Sequence, residues 1–428
     1  MLKTSNVHAI SLSVDTTPDA LANKYYGLKN KEQLASMTFA ERLTCAYEIT
    51  SGMDVMGLNT YRVDMHSTGM HASSLQSAPT INLASNNYLN FSVRPEIKLA
   101  ASQATEQYGH GSGSVPMLSG TFKVHRELEK RLAKFTGYEA ALSYCSGYAA
   151  NQGLLTALLT PSDIAILDTY VHASINEGCS NTNKSYFMHN DPDSLRLVLQ
   201  KSQAYQNKIV IVDGVYSMDG DIANLPEIIR IAREFGAWVL VDESHALGVI
   251  GENGVGTANY FALTDKPDLI TCSMGKALGA TGGFVAGSRE LISLLELTSR
   301  TFIYSTSLPP GIAAGIIKAI DLLEQSDAAL SKLWNNIRYF REHCQPEWQG
   351  ITESKSAIFP LFIKEEGNLL HMASTLRKKG IFVVPIFYPV VPKRKSRIRI
   401  SLNAALSSND LQCGIDNIIS TLYMLGIK

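Results

Sequence analysis

Asp242-Glu243-Ser244-His245 and, thirty-four residues beyond the aspartate, Lys276 within Ser273-Met274-Gly275-Lys276-Ala277-Leu278-Gly279 are the groups in this 428-residue chain whose types and spacing could do chemistry. The apolar runs Trp238-Val239-Leu240-Val241 and Leu269-Ile270-Thr271-Cys272 lead into them and read as buried strands. A carboxylate at a strand end, an imidazole three residues on and a lysine in a loop of small residues are the parts a pyridoxal 5'-phosphate site needs. The lysine holds such a cofactor as a Schiff base. The acid pairs with the pyridinium nitrogen, so that the ring accepts the electrons of a substrate carbanion. Taken singly, the aspartate could cap a helix or shape a turn, and the lysine could be a solvated surface charge. Their order and surroundings favour the chemical reading.

Such groups need a layered scaffold. Short strands are expected at Ala140–Tyr144, Ile164–Leu167, Ile209–Val212, Val239–Val241, Leu269–Cys272 and Phe284–Ala286, with helices between most of them. Leu128, Leu132 and Phe135 recur at helical spacing, Gly137 stops that helix, and Pro226 is placed to open another. The alternation predicts an α/β layer with a mostly parallel sheet, whose ligands bind at the carboxyl ends of the strands. Asp168, Asp213 and Asp242 each directly follow such a strand. Before this region, Phe39 to Tyr47 forms one modest amphipathic segment. After Pro309-Pro310 a helical region runs to about Glu347. Strand candidates follow at Ala357–Ile363, Phe382–Pro385 and Arg397–Leu402, then a last amphipathic helix. The predicted organisation is an N-terminal arm over 1–80, a large domain over 81–310 and a smaller α+β domain over 311–428.

With 38 basic and 39 acidic residues the net charge is −1, so no general field favours nucleic acid or an anionic membrane. Cys45, Cys145, Cys179, Cys272, Cys344 and Cys413 form no CxxC pair. They fit a reducing cytoplasm better than a disulfide framework, and no metal site is expected. The N-terminus lacks the basic-then-apolar order of a signal peptide, and no apolar run is long enough to span a bilayer. A cytoplasmic protein without a membrane segment is the expectation.

A cofactor phosphate needs donors. Ser146-Gly147-Tyr148-Ala149-Ala150-Asn151 lies between a strand and a helix, where backbone amides backed by the helix dipole point at an anion. Ser273 and the run Tyr304-Ser305-Thr306-Ser307 could add hydroxyls. The glycines of Gly109-His-Gly-Ser-Gly113 precede no strand–turn–helix unit and no acidic ribose contact, so they suit a close backbone approach better than a nucleotide. Asp219-Gly220-Asp221 is too short for a calcium loop. His172, just past a strand end, could lie flat on a pyridine ring. Arg399, alternating with Arg397, suits two-point clamping of a carboxylate. A surface strand with exposed arginines is the competing account, given Lys393, Arg394 and Lys395 nearby.

Ordered along the chain are Ser85-Asn86-Asn87-Tyr88-Leu89, Tyr108-Gly-His-Gly111, Ser119-Gly-Thr121 with His125, Ser146-Gly-Tyr148 with Asn151, and His172-Ala-Ser174. Asp213-Gly-Val-Tyr-Ser-Met-Asp-Gly-Asp221, Asp242-Glu-Ser-His245, Gly275-Lys276, Ser305-Thr306 with Pro309-Pro310, and Arg397-Ile-Arg399 follow. With these motifs the chain resembles the α-oxoamine synthases, pyridoxal phosphate enzymes of the aspartate aminotransferase fold (type I). That family includes 8-amino-7-oxononanoate synthase, 2-amino-3-ketobutyrate CoA ligase, 5-aminolevulinate synthase and serine palmitoyltransferase. The resemblance runs from about Ile81 to the C-terminus.

The resemblance implies a seven-stranded, mostly parallel sheet in the large domain and a homodimer with shared active sites. Lys276 would carry the cofactor and later handle the α-proton, and Asp242 would bind the ring nitrogen. His245 and Ser217 would bind the ring hydroxyl, with His172 stacked on the ring and Asp213 supporting the site. The loop of Ser146, the amides of Gly147 and Tyr148, Ser273, and Thr306 from a second subunit would hold the phosphate. Asn86 and Arg399 would contact the amino acid or its carboxylate. The implied reaction condenses a small amino acid with an acyl thioester (acyl-CoA or acyl-ACP), normally with decarboxylation, to give an α-amino ketone.

Three departures bear on the substrate. Val115-Pro116-Met117 stands where some members carry Arg, Leu406 where many carry His, and Phe387-Tyr388-Pro389 where oxononanoate synthases have Arg-Pro-Pro. The aromatic loop weakens the case for a dicarboxylic chain such as pimeloyl, and a medium or long apolar acyl chain with serine, alanine or glycine is favoured. The alternatives are 8-amino-7-oxononanoate synthesis itself, another fold type I reaction such as transamination, and an inactive partner-subunit paralogue. Retention of Lys276, His172 and Asp242 argues against the last. The arm before Ile81 could dock a carrier protein, shape an acyl tunnel or simply brace a dimer.

Overall fold

Seven strands form one sheet, in the spatial order Ala140–Tyr144, Gly283–Gly287, Leu269–Ser273, Trp238–Asp242, Lys208–Asp213, Ile164–Asp168 and Asn183–Phe187. Gly283–Gly287 runs antiparallel to both its neighbours, and the other six strands point one way. The computed structural model describes residues 18–55, 57, 59, 71–73, 79–325, 328–344, 354–388 and 390–426. Parts of the expected arm, the helix end near Glu347 and Pro389 lie outside the described residues.

The central strands are continuous apolar runs because helices cover both faces of the sheet. Val239 and Val241 enter the core on one face, while Leu240 enters the core on the other. Asn183–Phe187 was not expected from the sequence. Among the described residues it pairs only with Ile164–Asp168, and its polar residues face out at the sheet edge, so no apolar run announces it. Helices Gly147–Leu158 and Leu225–Glu234 are among those between strands, the second with Pro226 in its first turn. Helix Lys123–Thr136 ends at Gly137, whose φ of 72° suits a residue without a Cβ.

Beyond the sheet, helix Pro310–Glu324 packs on Pro95–Tyr108, where a Cβ on Gly311 would stand 2.8 Å from the Ala101 carbonyl oxygen. Arg397–Ser401 is the centre of a three-stranded antiparallel sheet with Ile358–Phe362 and Val384–Ile386. Pro79–Asn82 joins a third sheet, antiparallel to His71–Ser73 and parallel to Ile381–Phe382. Leu83, just after it, donates its N–H to the Phe382 carbonyl at 3.0 Å and accepts from the Ser401 N–H at 2.8 Å. This stitch brings Asn86 and Tyr88 to the strand that carries Arg399. Helices Pro18–Lys29 and Phe39–Val55 lie upstream, and Tyr25 meets Phe387 edge-on at 5.4 Å. No described helix is long and apolar enough to cross a membrane.

Candidate active site

Asp213 and Asp242 are in register on adjacent parallel strands. Both are buried, at the carboxyl end of the sheet, and both line a cavity of about 150 Å³ with Gly147, Tyr148, Asn151, His172, Ser244, His245, Ser273 and Lys276. The fold therefore collects the expected lysine, acid and two imidazoles round one space.

Lys276 is held by a tight loop. Met274 N–H donates to the Gly282 carbonyl at 2.9 Å and Gly279 N–H to the Lys276 carbonyl at 2.9 Å. Gly279 has φ of 68°, and a Cβ there would meet the Ser92 nitrogen at 2.4 Å, which explains the small residues. Burial pushes the Lys276 amine below its ordinary value, against the opposing pull of Asp242. The direction is the one that eases loss of the ammonium proton, as a Schiff-base nucleophile needs.

Asp242 Oδ1 accepts from the Ser244 N–H at 2.9 Å, and Oδ2 accepts from Asn151 Nδ2 at 2.8 Å. Asn151 also reaches Ser174 Oγ at 2.9 Å, and that oxygen lies 2.8 Å from His172 Nδ1. The Ser174 N–H also donates to His172 Nδ1, at 3.3 Å. Nδ1 is thereby an acceptor, so the neutral His172 ring carries its hydrogen on Nε2. The carboxyl of Asp213 is raised well above the carboxylate range, first by burial and then by the charge of Asp242.

The phosphate side is built from bare backbone. Ser146 caps helix Gly147–Leu158 by accepting from the Ala149 N–H at 3.0 Å, leaving the amides of Gly147 and Tyr148 in the first turn. A Cβ on Gly147 would stand 2.6 Å from Ser273 Cβ, and one on Gly283 would stand 2.5 Å from the Gly147 nitrogen. Two glycines thus let the helix start sit directly on the loop of Ser273.

Arg399 is 7 % exposed and Arg397 is 0 % exposed, which overturns the account of a surface strand. Arg399 donates from Nη1 to Asn86 Oδ1 at 3.0 Å and to Ser401 Oγ at 2.9 Å, and from Nε to the Ser217 carbonyl. Arg397 instead serves structure, donating to Asp219 Oδ1 at 2.7 Å and to the Met218 carbonyl at 2.9 Å. Of the expected residues, Asn86, Ser146, Ser217, Thr306 and Arg399 do not line the lysine cavity. Ser217 touches Arg399 through its carbonyl and is not among the residues lining the lysine cavity, and exposed Thr306 lines a separate cavity of about 20 Å³ with Ser143 and Cys145.

Several neighbours carried no sequence signal. Tyr88, Asn151 and Ser174 sat in the quoted motifs without roles. His189 was not singled out at all. It bridges Asp168, at 3.0 Å through Nδ1, and Asp221, at 3.0 Å through Nε2. Burial opposes charging this ring, but the hydrogen bonds to Asp168 and Asp221 win and push it up to about 10. The Tyr216 hydroxyl donates to the same Asp168 at 2.8 Å.

These residues fit pyridoxal phosphate. The buried Asp213–Asp242 pair suits a cation such as a protonated pyridine, buried Asn151 Oδ1 has no partner among the described residues, and the Gly147 amide edge suits a dianion.

The aminotransferase class I and II family matches residues 78–418. The 8-amino-7-oxononanoate synthase of Thermoanaerobacter pseudethanolicus is 41% identical over 346 residues, covering 80% of this chain and 88% of the relative. The Bacillus subtilis 8-amino-7-oxononanoate synthase 1 is 41% identical over 343 residues, with 80% and 88% covered. The chain is an α-oxoamine synthase of the aminotransferase class I and II family. As an α-oxoamine synthase it is a pyridoxal-phosphate-dependent C-acyltransferase of fold type I. Among solved structures, serine palmitoyltransferase from S. paucimobilis has a TM-score of 0.87 at 28% identity, covering 92% of this chain and 100% of that one. The 8-amino-7-oxononanoate synthase of Francisella tularensis has a TM-score of 0.70 at 26% identity, with 81% and 98% covered.

Proposed function

We propose that this α-oxoamine synthase condenses serine, alanine or glycine with the acyl thioester of an apolar chain, releasing the thiol and carbon dioxide to leave an α-amino ketone. One observation carries the reading. Arg399, a buried cation suited to a carboxylate, is joined through the Tyr88 hydroxyl to His245 beside Lys276. An amino acid held there by its carboxylate presents its α-carbon to the lysine cavity.

When bound, pyridoxal phosphate would supply the electron sink for the bond broken at that α-carbon. Asp242, steadied by Asn151, would hold the ring nitrogen, and Asp213 would support it from the adjacent strand. His172 would cover the ring face and His245 would meet the ring hydroxyl, while Ser217, outside the cavity lining, would steady Arg399 through its carbonyl. Ser146, the amides of Gly147 and Tyr148, and Ser273 would receive the phosphate. Lys276 would move the α-proton, while Asn86 and Arg399 would hold the carboxylate and so orient the bonds at the α-carbon. Thr306 would reach the phosphate of a second subunit. Its place in a separate cavity of its own chain supports a homodimer with shared sites. Six free cysteines support a reducing, cytoplasmic setting.

A second reading, formation of 8-amino-7-oxononanoate, is favoured by the relatives at 41% identity. The aromatic loop is weak ground against it, because Phe387 packs on Tyr25 of the arm. Thiol release, measured with each amino acid against palmitoyl, octanoyl and pimeloyl thioesters on CoA and on carrier protein, separates the readings. Release with apolar chains supports the first and release confined to pimeloyl selects the second. Amino exchange with a keto acid and no thiol release would replace both with transamination.

A further inference from the structure

Tyr88 is fully buried, and its hydroxyl lies 2.7 Å from His245 Nδ1. Arg399 Nη2 donates to the same hydroxyl oxygen at 3.3 Å. A guanidinium only donates, so the phenol accepts from Arg399 and must spend its single hydrogen elsewhere. The candidates are His245 Nδ1 at 2.7 Å and Asn86 Oδ1 at 3.5 Å. The shorter contact wins, since 3.5 Å is beyond a normal O–H···O bond. His245 Nδ1 is therefore an acceptor, and its hydrogen sits on Nε2.

We infer that Tyr88 is a positioning residue which locks His245 in the Nε2–H tautomer and couples that imidazole to the state of Arg399. The inference rests on the carboxylate role proposed above for Arg399 and adds a route from the clamp to the cofactor site. An anion arriving at Arg399 draws the guanidinium charge toward itself, weakens donation to the Tyr88 oxygen, and so changes how strongly the phenol donates to Nδ1. His245 in turn sets the donor offered to the ring hydroxyl. The surroundings hold this histidine neutral: burial pushes it well below its ordinary value, and Lys276, Arg399 and His172 all add to that. Tautomer, and not net charge, is the variable that Tyr88 controls.

The test is nitrogen NMR of the full-length, histidine-labelled protein, with and without cofactor, His245 being assigned with His245→Gln. At pH 7 Nδ1 is expected as the hydrogen-bonded acceptor and Nε2 as the N–H. An Nδ1–H ring or an imidazolium overturns the lock. Propionate, a carboxylate with no amino group, is expected to move the His245 Nδ1 resonance in the wild type, and no movement overturns the coupling. In the Tyr88→Phe holoenzyme the propionate-induced shift in the pH midpoint of the cofactor's visible band is expected to shrink about tenfold in equilibrium terms, about one pH unit. A wild-type shift in that variant also overturns the coupling. These readouts need no turnover, so a protein that shows them yet releases no thiol would sink the proposed reaction and leave Tyr88's role standing.

Discussion

Asp213 and Asp242 close adjacent parallel strands in register, so that two buried carboxylates stand side by side. The arrangement is tolerable because Asp213 resists ionising and Asp242 has donors on both oxygens. A ring cation would complete it. Asp242→Asn is expected to weaken pyridoxal phosphate binding about 100-fold, on the order of 3 kcal/mol for one lost partner of a buried ion pair. Fluorescence titration of the apoprotein measures it, and an unchanged Kd would remove Asp242 from the ring nitrogen.

Gly147→Ala places a Cβ 2.6 Å from Ser273 Cβ and 2.9 Å from its Cα. Overlap with backbone costs about 1–3 kcal/mol and displaces the helix start. The expected signature is a narrowed gap between affinities for pyridoxal phosphate and for pyridoxal, which lacks the phosphate. Calorimetry of both ligands decides it, an unaltered gap placing the phosphate elsewhere.

Lys276 is the lysine that lines the cavity with Asp242, His172 and His245. Borohydride reduction of the holoprotein is expected to attach the cofactor's mass to the peptide containing Lys276. Lys276→Ala should retain cofactor only reversibly and gain no mass. Attachment at another lysine, read by mass spectrometry, would overturn the assignment.

His189 gives the pH dependence. Its folded value, about 10, lies above the ordinary 6.5. The protonated ring is therefore the form the fold favours. Its contribution is fully present below pH 6.5 and is lost as pH rises through 10. His189→Gln should cost about 2–4 kcal/mol at pH 7, since Asp168 and Asp221 lose their shared cation, with the gap closing toward pH 10. Urea denaturation at several pH values checks this, and a pH-independent gap would mean a neutral ring.

The strands that end in Asp168, Asp213 and Asp242 were legible because sheets covered on both faces need unbroken apolar runs. Asn183–Phe187 was not, because an edge strand facing water carries no such run. Lys276, Asp242, His172 and His245 stood out by residue type and order. The partners that set their chemistry did not, since Tyr88 meets His245 across 157 residues and Asn151 meets Asp242 across 91. A tyrosine or an asparagine declares nothing until folding has chosen its neighbour. Arg399 was readable as a candidate clamp with a surface strand as its rival, and its burial, which removes the rival, depends on packing that no local pattern records.

The stitch at Leu83 has a mechanical meaning. With Phe382 on one side and Ser401 on the other, it rivets the stretch leading to Asn86 and Tyr88 onto the strand of Arg399. Asn86, Tyr88 and Arg399 are thereby held as one unit, and the bonds from Tyr88 to His245 and from Arg399 to the Ser217 carbonyl clasp that unit to the side of the large sheet, so a strand laid down more than a hundred residues after Lys276 is fastened beside it.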